Sequence, residues 1–150
     1  MIFTGHAEAK IDGKQRIAIP AKFRNVLKDE SAWISLPWER KLMLYPASRF
    51  AELAEGFGNS LAPGGDEQEL DTNLFGMAER LEMDATGRVI LPTMHLEYAG
   101  LATDGSVAVV GAGKRIEVRD LAAWTASMQE RFRSVPAMMR NLEERTKSKG

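Results

Sequence analysis

The chain has 150 residues, 44% of them hydrophobic, with 20 basic and 21 acidic side chains and a net charge of −1. That length suits one ordinary domain, or two very small units that share a core. The absence of cysteine excludes disulfides, thiol nucleophiles and Cys-based zinc sites. The balanced charge excludes a uniformly basic nucleic-acid binder, so such a role needs cations gathered on one surface. MIFTGHAEAK at the start lacks the basic flank and apolar run of a leader. Apolar stretches such as Val107 to Val110 are too short to span a bilayer. The expectation is a cytoplasmic protein with no membrane partner and no cofactor.

In chain order, Phe3 to Ile11 reads as a strand and Asp12-Gly13-Lys14-Gln15 as a turn, with Gly13 the residue that tolerates positive φ. Arg16 to Ile19 resumes alternation, Ile17 and Ile19 on one face and Arg16 and Ala18 on the other. Pro20 ends that strand and opens a helix over Ala21 to Leu27. Trp33 to Leu36 and Lys41 to Leu44 form a hairpin around Pro37 and Glu39. Helices follow over Ala47 to Gly56 and Asp66 to Met77.

The plan then repeats. Asp84 to Gly87 is a turn, Arg88 to Leu91 a strand, Thr93 to Ala99 a helix, and Gly100 its cap. Val107 to Val110 and Arg115 to Arg119 form a hairpin turning at Gly111 to Gly113. Asp120 caps a helix to Phe132, and a helical pattern continues to about Arg145. The internal match is colinear. Gly5-His6-Ala7-Glu8 resembles Gly76-Met77-Ala78-Glu79, and Asp12, Arg16, Ile17, Ile19 and Pro20 match Asp84, Arg88, Val89, Leu91 and Pro92. Further on, Leu27, Leu42, Leu44 and Phe50 match Leu101, Ile116, Val118 and Trp124. Two copies of one unit result, residues 1–50 and 76–124, with a helical linker at 51–75 and a helical tail at 125–150. The class is α+β, rich in strand.

Arg16 and Arg88 each follow a turn and face away from the core. Two readings stand side by side: a solvated or Asp-paired strand arginine, and a contact to phosphate or guanine through the planar guanidinium fork. Lys10, Lys14, Lys22 and Arg24 surround Arg16 in sequence, whereas copy two offers only Arg80 and Arg88 between Gly76 and Pro92. Copy one is therefore the richer cationic surface. Gln15 before Arg16 is read as pointing its amide outward, toward adenine or a phosphate. Asp12 and Asp84 admit a catalytic carboxylate pair, but Asp at the first position of a turn is a common structural cap. No metal cluster, phosphate-cradling loop or Ser-His-Asp order supports an enzyme or a small-molecule substrate. Trp33, Trp38 and Trp124 read as packing residues. Phe50, Leu53 and Phe57, and Trp124, Met128 and Phe132, are helical apolar stripes expected between subunits.

Asp12 to Pro20, Asp84 to Pro92, Tyr98-Ala99-Gly100-Leu101 and Lys114-Arg115-Ile116-Glu117-Val118 resemble the MraZ family of bacterial transcriptional regulators, whose chains carry two tandem SpoVT-AbrB-type units. The resemblance implies a pseudo-two-fold, swapped-hairpin β-barrel built from both repeats. It also implies a homo-oligomeric ring of about eight or more subunits, bound to direct repeats in double-stranded promoter DNA. In this family the target is the division and cell-wall gene cluster, so the expectation is a repressor at the nucleoid. The DNA-binding residues it suggests are Lys10, Lys14, Gln15, Arg16, Lys22, Arg24 and Arg88. Copy two keeps the family loop, Asp84-Ala85-Thr86-Gly87-Arg88, whereas copy one has Gln15 in place of the glycine and Gly13 two residues earlier.

Two rival functions remain. One is a protein-interaction module of antitoxin type, with Pro136 to Arg145 as the binding tail. The other is an oligomeric scaffold that has lost DNA binding, which the substitution at Gln15 suggests.

Overall fold

The computed structural model describes residues 1–58, 61 and 64–149. Each repeat runs strand, strand, helix, strand, strand, helix. The first contributes β1 (His6–Lys10), β2 (Arg16–Ala18), α1 (Ala21–Arg24), β3 (Ala32–Trp38), β4 (Lys41–Pro46) and α2 (Ala47–Ala54). A linker helix α3 (Gly65–Met77) leads into the second, with β5 (Glu79–Glu82), β6 (Arg88–Ile90), α4 (Thr93–Ala99), β7 (Ser106–Gly111), β8 (Ile116–Asp120) and α5 (Leu121–Lys149).

The strands do not pair within their own repeat alone. The six-stranded antiparallel sheet has the order β1-β7-β8-β4-β3-β5, and β2 and β6 form a separate ribbon. The leading strand of each repeat is thus exchanged onto the hairpin of the other: β1 lies on β7, and β5 on β3. The register is symmetric. Ile17 stands opposite Val89 at the centre of the ribbon, and Met43 opposite Glu117 at the centre of the β4–β8 ladder. A pseudo-two-fold axis passes through both pairs. The six-stranded sheet does not close on itself into a barrel; the β2–β6 ribbon is a separate two-stranded sheet. The edge strands β1 and β5 each turn directly into a ribbon strand, and those two strands pair with each other.

Both repeats fill one core. Ile11, Ile17, Ile19, Phe23, Trp33, Leu42 and Leu44 pack with Val89, Leu91, Val109, Ile116 and Val118, all buried. Phe3 closes it, with its ring 5.6 Å from Trp33 and 6.1 Å from Phe23. A shared core is what two units of this size require, since neither buries enough apolar surface alone.

Local structure departs from expectation in places. The α-helix after Pro20 ends at Arg24, and the chain tightens into i→i+3 bonds, Val26 N–H to the Phe23 carbonyl and Leu27 N–H to the Arg24 carbonyl. Pro37 lies inside β3, so the hairpin turns at Glu39 and Arg40, with Glu39 at φ 57°. Gly5 is left-handed at φ 78°, but Gly76 is helical. Ala7 and Glu79 hold equivalent register positions, so the Gly-x-Ala-Glu match is one residue out of step. Gly100 ends α4 at φ 69°, and Leu101 N–H donates to the Leu96 carbonyl at 2.9 Å. The Asp120 carboxylate accepts the Ala123 N–H at 2.9 Å, the expected cap. From there α5 runs for 29 residues through Pro136, about 43 Å. The proline leaves the Phe132 carbonyl without its helical donor.

The two apolar stripes separate. Phe50 and Phe57 pack on Phe75 of the linker helix, at 6.0 and 5.7 Å. That stripe is thus partly covered within the chain. Trp124 sits between His6 and Arg131, whereas Phe132 is exposed.

Candidate nucleic-acid interface

The turn before each ribbon strand is built around one carboxylate. Asp12 Oδ1 accepts the backbone N–H groups of Lys14 (2.9 Å) and Arg16 (2.8 Å), and Oδ2 accepts Arg16 Nε–H (2.8 Å). Asp84 does the same with Thr86 (2.9 Å), Arg88 N–H (3.0 Å) and Arg88 Nε–H (2.9 Å), and also accepts the Thr86 hydroxyl. These bonds favour the charged form. The Arg16 backbone N–H chiefly holds the Asp12 carboxyl below its ordinary value, and the Arg88 backbone N–H does so for Asp84. The two aspartates are therefore structural acceptors in separate turns, each bonded to its own arginine.

The fourth turn residue must be left-handed. Gly87 has φ 80°, and Gln15 in the same place has φ 66°. Gly13 has no positive φ, so the expectation that it takes over this role is corrected: the backbone keeps the shape and Gln15 accepts it. The Gln15 amide is held at the surface by a bond within the chain. Its Nε2 donates to the Thr93 hydroxyl at 2.9 Å, at the start of the other repeat's helix.

The turns lock reciprocally. Leu91 N–H donates to the Gln15 carbonyl at 2.8 Å, and Ile19 N–H to the Gly87 carbonyl at 2.9 Å. Between them the ribbon pairs Arg16 with Ile90, Ile17 with Val89 and Ala18 with Arg88. Ile17 and Val89 are buried, so the other four side chains share the outer face. Arg16 and Arg88 occupy diagonal corners, a cross-strand spacing of roughly 7–8 Å. Their side chains are 30% and 38% exposed. Only Nε is bonded in each, and the two terminal nitrogens have no hydrogen-bond partner among the described residues. Pairing with Asp and presentation of the fork thus coexist.

The remaining candidates divide. Lys14 is exposed at the tip of the first turn, and Lys10 is exposed at the end of β1. Arg24 reaches the second turn: its Nε donates to the Ile19 carbonyl at 2.9 Å, and a Cβ on Gly87 would lie 2.5 Å from its Cδ. Lys22 turns away, donating to the His6 carbonyl at 2.6 Å beside Gly5. Thr93 and Ile90 did not stand out in the sequence. For Ile90 a signal was there, because it alternates with buried Val89 and so shares the face of Arg88.

Elsewhere, the buried side chains of Glu117, His95 and Ser35 are paired, whereas the indole N–H groups of Trp33 and Trp124 are buried without an acceptor among the described residues. Glu117 receives Arg115 (2.8 Å) and Arg119 (2.9 Å). Burial pushes its carboxyl up, and the two guanidiniums more than offset this, leaving it below the ordinary value. His95 bridges the Ser35 hydroxyl (2.8 Å) and the Met77 carbonyl (2.7 Å). Among the described residues no cluster of three or more His, Cys, Asp or Glu is placed to hold a metal ion, and no helix is long and apolar enough to cross a membrane.

The doubled turn-and-ribbon unit agrees with the comparisons. The family described as "MraZ protein, putative antitoxin-like" matches residues 2–71 and 74–145, one stretch for each repeat. The chain belongs to the MraZ family. It is 36% identical over 133 residues to a protein of Kocuria rhizophila named transcriptional regulator MraZ, covering 87% of this chain and 89% of that one. MraZ proteins of Saccharophagus degradans (33% identical, covering 86% and 89%) and Nitratidesulfovibrio vulgaris (28%, covering 90% and 91%) carry the same name.

Proposed function

We propose that this MraZ-family chain is a sequence-specific DNA-binding transcriptional regulator that lays its β2–β6 ribbon on double-stranded promoter DNA. The supporting observation is the pair of motif arginines on one exposed face, each anchored through Nε with its fork free. A two-stranded ribbon fits the major groove, and a free fork suits guanine or phosphate. Lys14 and Arg24 flank the ribbon, and Lys10 extends the cationic surface. Residues 1–50 and 76–124 act as two half-units of one reading head, with 51–75 as linker and 125–150 as tail.

One ribbon offers few cations, and salt erodes such binding steeply. Affinity then comes from a ring of subunits on matching direct repeats, repressing the division and cell-wall gene cluster from the cytoplasm. The reading involves no reaction and no cofactor. The test is a titration of the protein against the DNA upstream of its own gene, beside a scrambled duplex of equal length. Tight, repeat-dependent binding is expected. Equal affinity for both duplexes would refute sequence recognition.

A second reading rests on α5. Phe132, Val135, Met138, Met139 and Leu142 are all exposed, as the tail of an antitoxin-type partner-binding protein would be. Removal of residues 134–150 separates the two: the regulator keeps specific DNA binding, whereas the interaction module loses a stable protein partner.

A further inference from the structure

The outer face of the ribbon is chemically asymmetric, although its backbone is symmetric. The two corners not held by arginine are Ala18 and Ile90. Ile90 is 62% exposed, directly opposite Arg16 and two residues along the strand from Arg88. No core need explains it, because its backbone neighbour Val89 supplies the buried contact. A branched apolar side chain held between two outward guanidiniums is costly to leave in water, and it is aimed wherever the arginines are aimed.

We propose that Ile90 is a specificity-determining residue that packs on a thymine methyl group in the major groove. This inference rests on the DNA-binding reading above. The major groove offers one apolar feature, the thymine C5 methyl, next to the guanine acceptors that a guanidinium fork recognises. The diagonal of Arg16 and Arg88 supplies charge complementary to phosphate and guanine. The Ile90 corner supplies the surface complementary to a methyl. Ala18 at the equivalent corner is smaller, so the two halves of the ribbon read different steps. A pseudo-symmetric protein thereby obtains a direction on DNA, which direct rather than inverted repeats require.

Uracil lacks only that methyl and keeps the hydrogen-bonding edge of thymine. The experiment takes a duplex selected by the unaltered protein from a random pool and prepares it with either thymine or deoxyuridine. Both probes are titrated with the unaltered protein and with Ile90→Ala. The exposed site makes Ile90→Ala a folding-neutral change, checked by an unchanged melting temperature. The unaltered protein is expected to lose about fourfold in affinity for each contacted methyl removed. Ile90→Ala is expected to bind the thymine probe more weakly and to be indifferent to uracil. Equal losses on uracil for both proteins place the methyl contact on another residue and overturn the proposal. If the unaltered protein binds both probes equally, DNA binding stands and the Ile90 contact alone falls. If no duplex is selected at all, the regulator reading itself fails and takes this inference with it.

Discussion

Gln15 and Gly87 occupy the same left-handed turn position in the two repeats, at φ 66° and φ 80°. A non-glycine residue in that region costs about 1 kcal/mol or more, and the Gln15–Thr93 hydrogen bond offsets part of it. Gln15→Gly should therefore change stability by less than about 1 kcal/mol. Gly87→Ala should destabilise by about 1–2 kcal/mol, because its Cβ also displaces Arg24 from its place over the turn. Gly13→Ala, with no positive φ and only an ordinary van der Waals contact to Asp104 for the added Cβ, should be close to neutral. Urea denaturation of the three variants orders them.

Arg16 and Arg88 lie on one face of one ribbon, so the richer charge around copy one does not separate them. Arg16→Ala and Arg88→Ala should weaken specific DNA binding to a similar degree, roughly 1–3 kcal/mol per subunit contact. Each should also shallow the salt dependence. Lysine at either place should not restore binding, since it cannot hold the aspartate through one nitrogen and present a fork with two others. Titrations at two salt concentrations check this, and a large difference between the two alanine variants would count against a shared face.

His95 links α4 to β3 and to the end of α3. Burial holds its pKa below the ordinary 6.5, against the opposing pull of the Met77 carbonyl bond and Glu79. The unfolded chain therefore takes up the proton first as pH falls. The contribution of His95 is complete above the unfolded value and is lost as pH drops from about 6.5 toward the depressed folded value. The urea midpoint should decline between pH 7.5 and 5.5. In His95→Gln that decline should flatten.

Glu117, opposite Met43 on the pseudo-axis, is 5% exposed and holds two arginines. Glu117→Gln leaves both guanidiniums without a countercharge, at a cost of about 2–3 kcal/mol, discounted for their partial exposure. The double change of Arg115 and Arg119 to methionine on top of it should recover part of the loss. Thermal melts of the single and triple variants test the coupling.

The doubled unit was legible because Asp12–Pro20 and Asp84–Pro92 repeat at fixed spacing, and alternation set the buried face of each ribbon strand. The exchange of β1 and β5 between repeats was not readable from residues alone, because strand partners far apart in the chain leave no local pattern. It came only with the family resemblance. Gly13 misled for a physical reason. Glycine permits positive φ without requiring it, and the position is set by the Asp12 turn, which demands it at Gln15. Lys22 was placed near Arg16 by sequence proximity, yet one helical turn aims it at His6. The length of α5 was hidden by Pro136, which removes one helical hydrogen bond; the Phe132 carbonyl it leaves bare lies on an exposed stretch of helix, where water can bond it.

The strand exchange also sets a timetable for synthesis. β1 finds its partner β7 about a hundred residues later, and β4 meets β8 later still. At about 5–20 residues per second on the ribosome, the first strand waits roughly 5–20 s for its ladder. Until then the emerging half is a hairpin with unpaired edges, a template for wrong partners. Completion comes only once Ile116 to Asp120 is released, so a product cut short before that strand leaves no half-working protein behind.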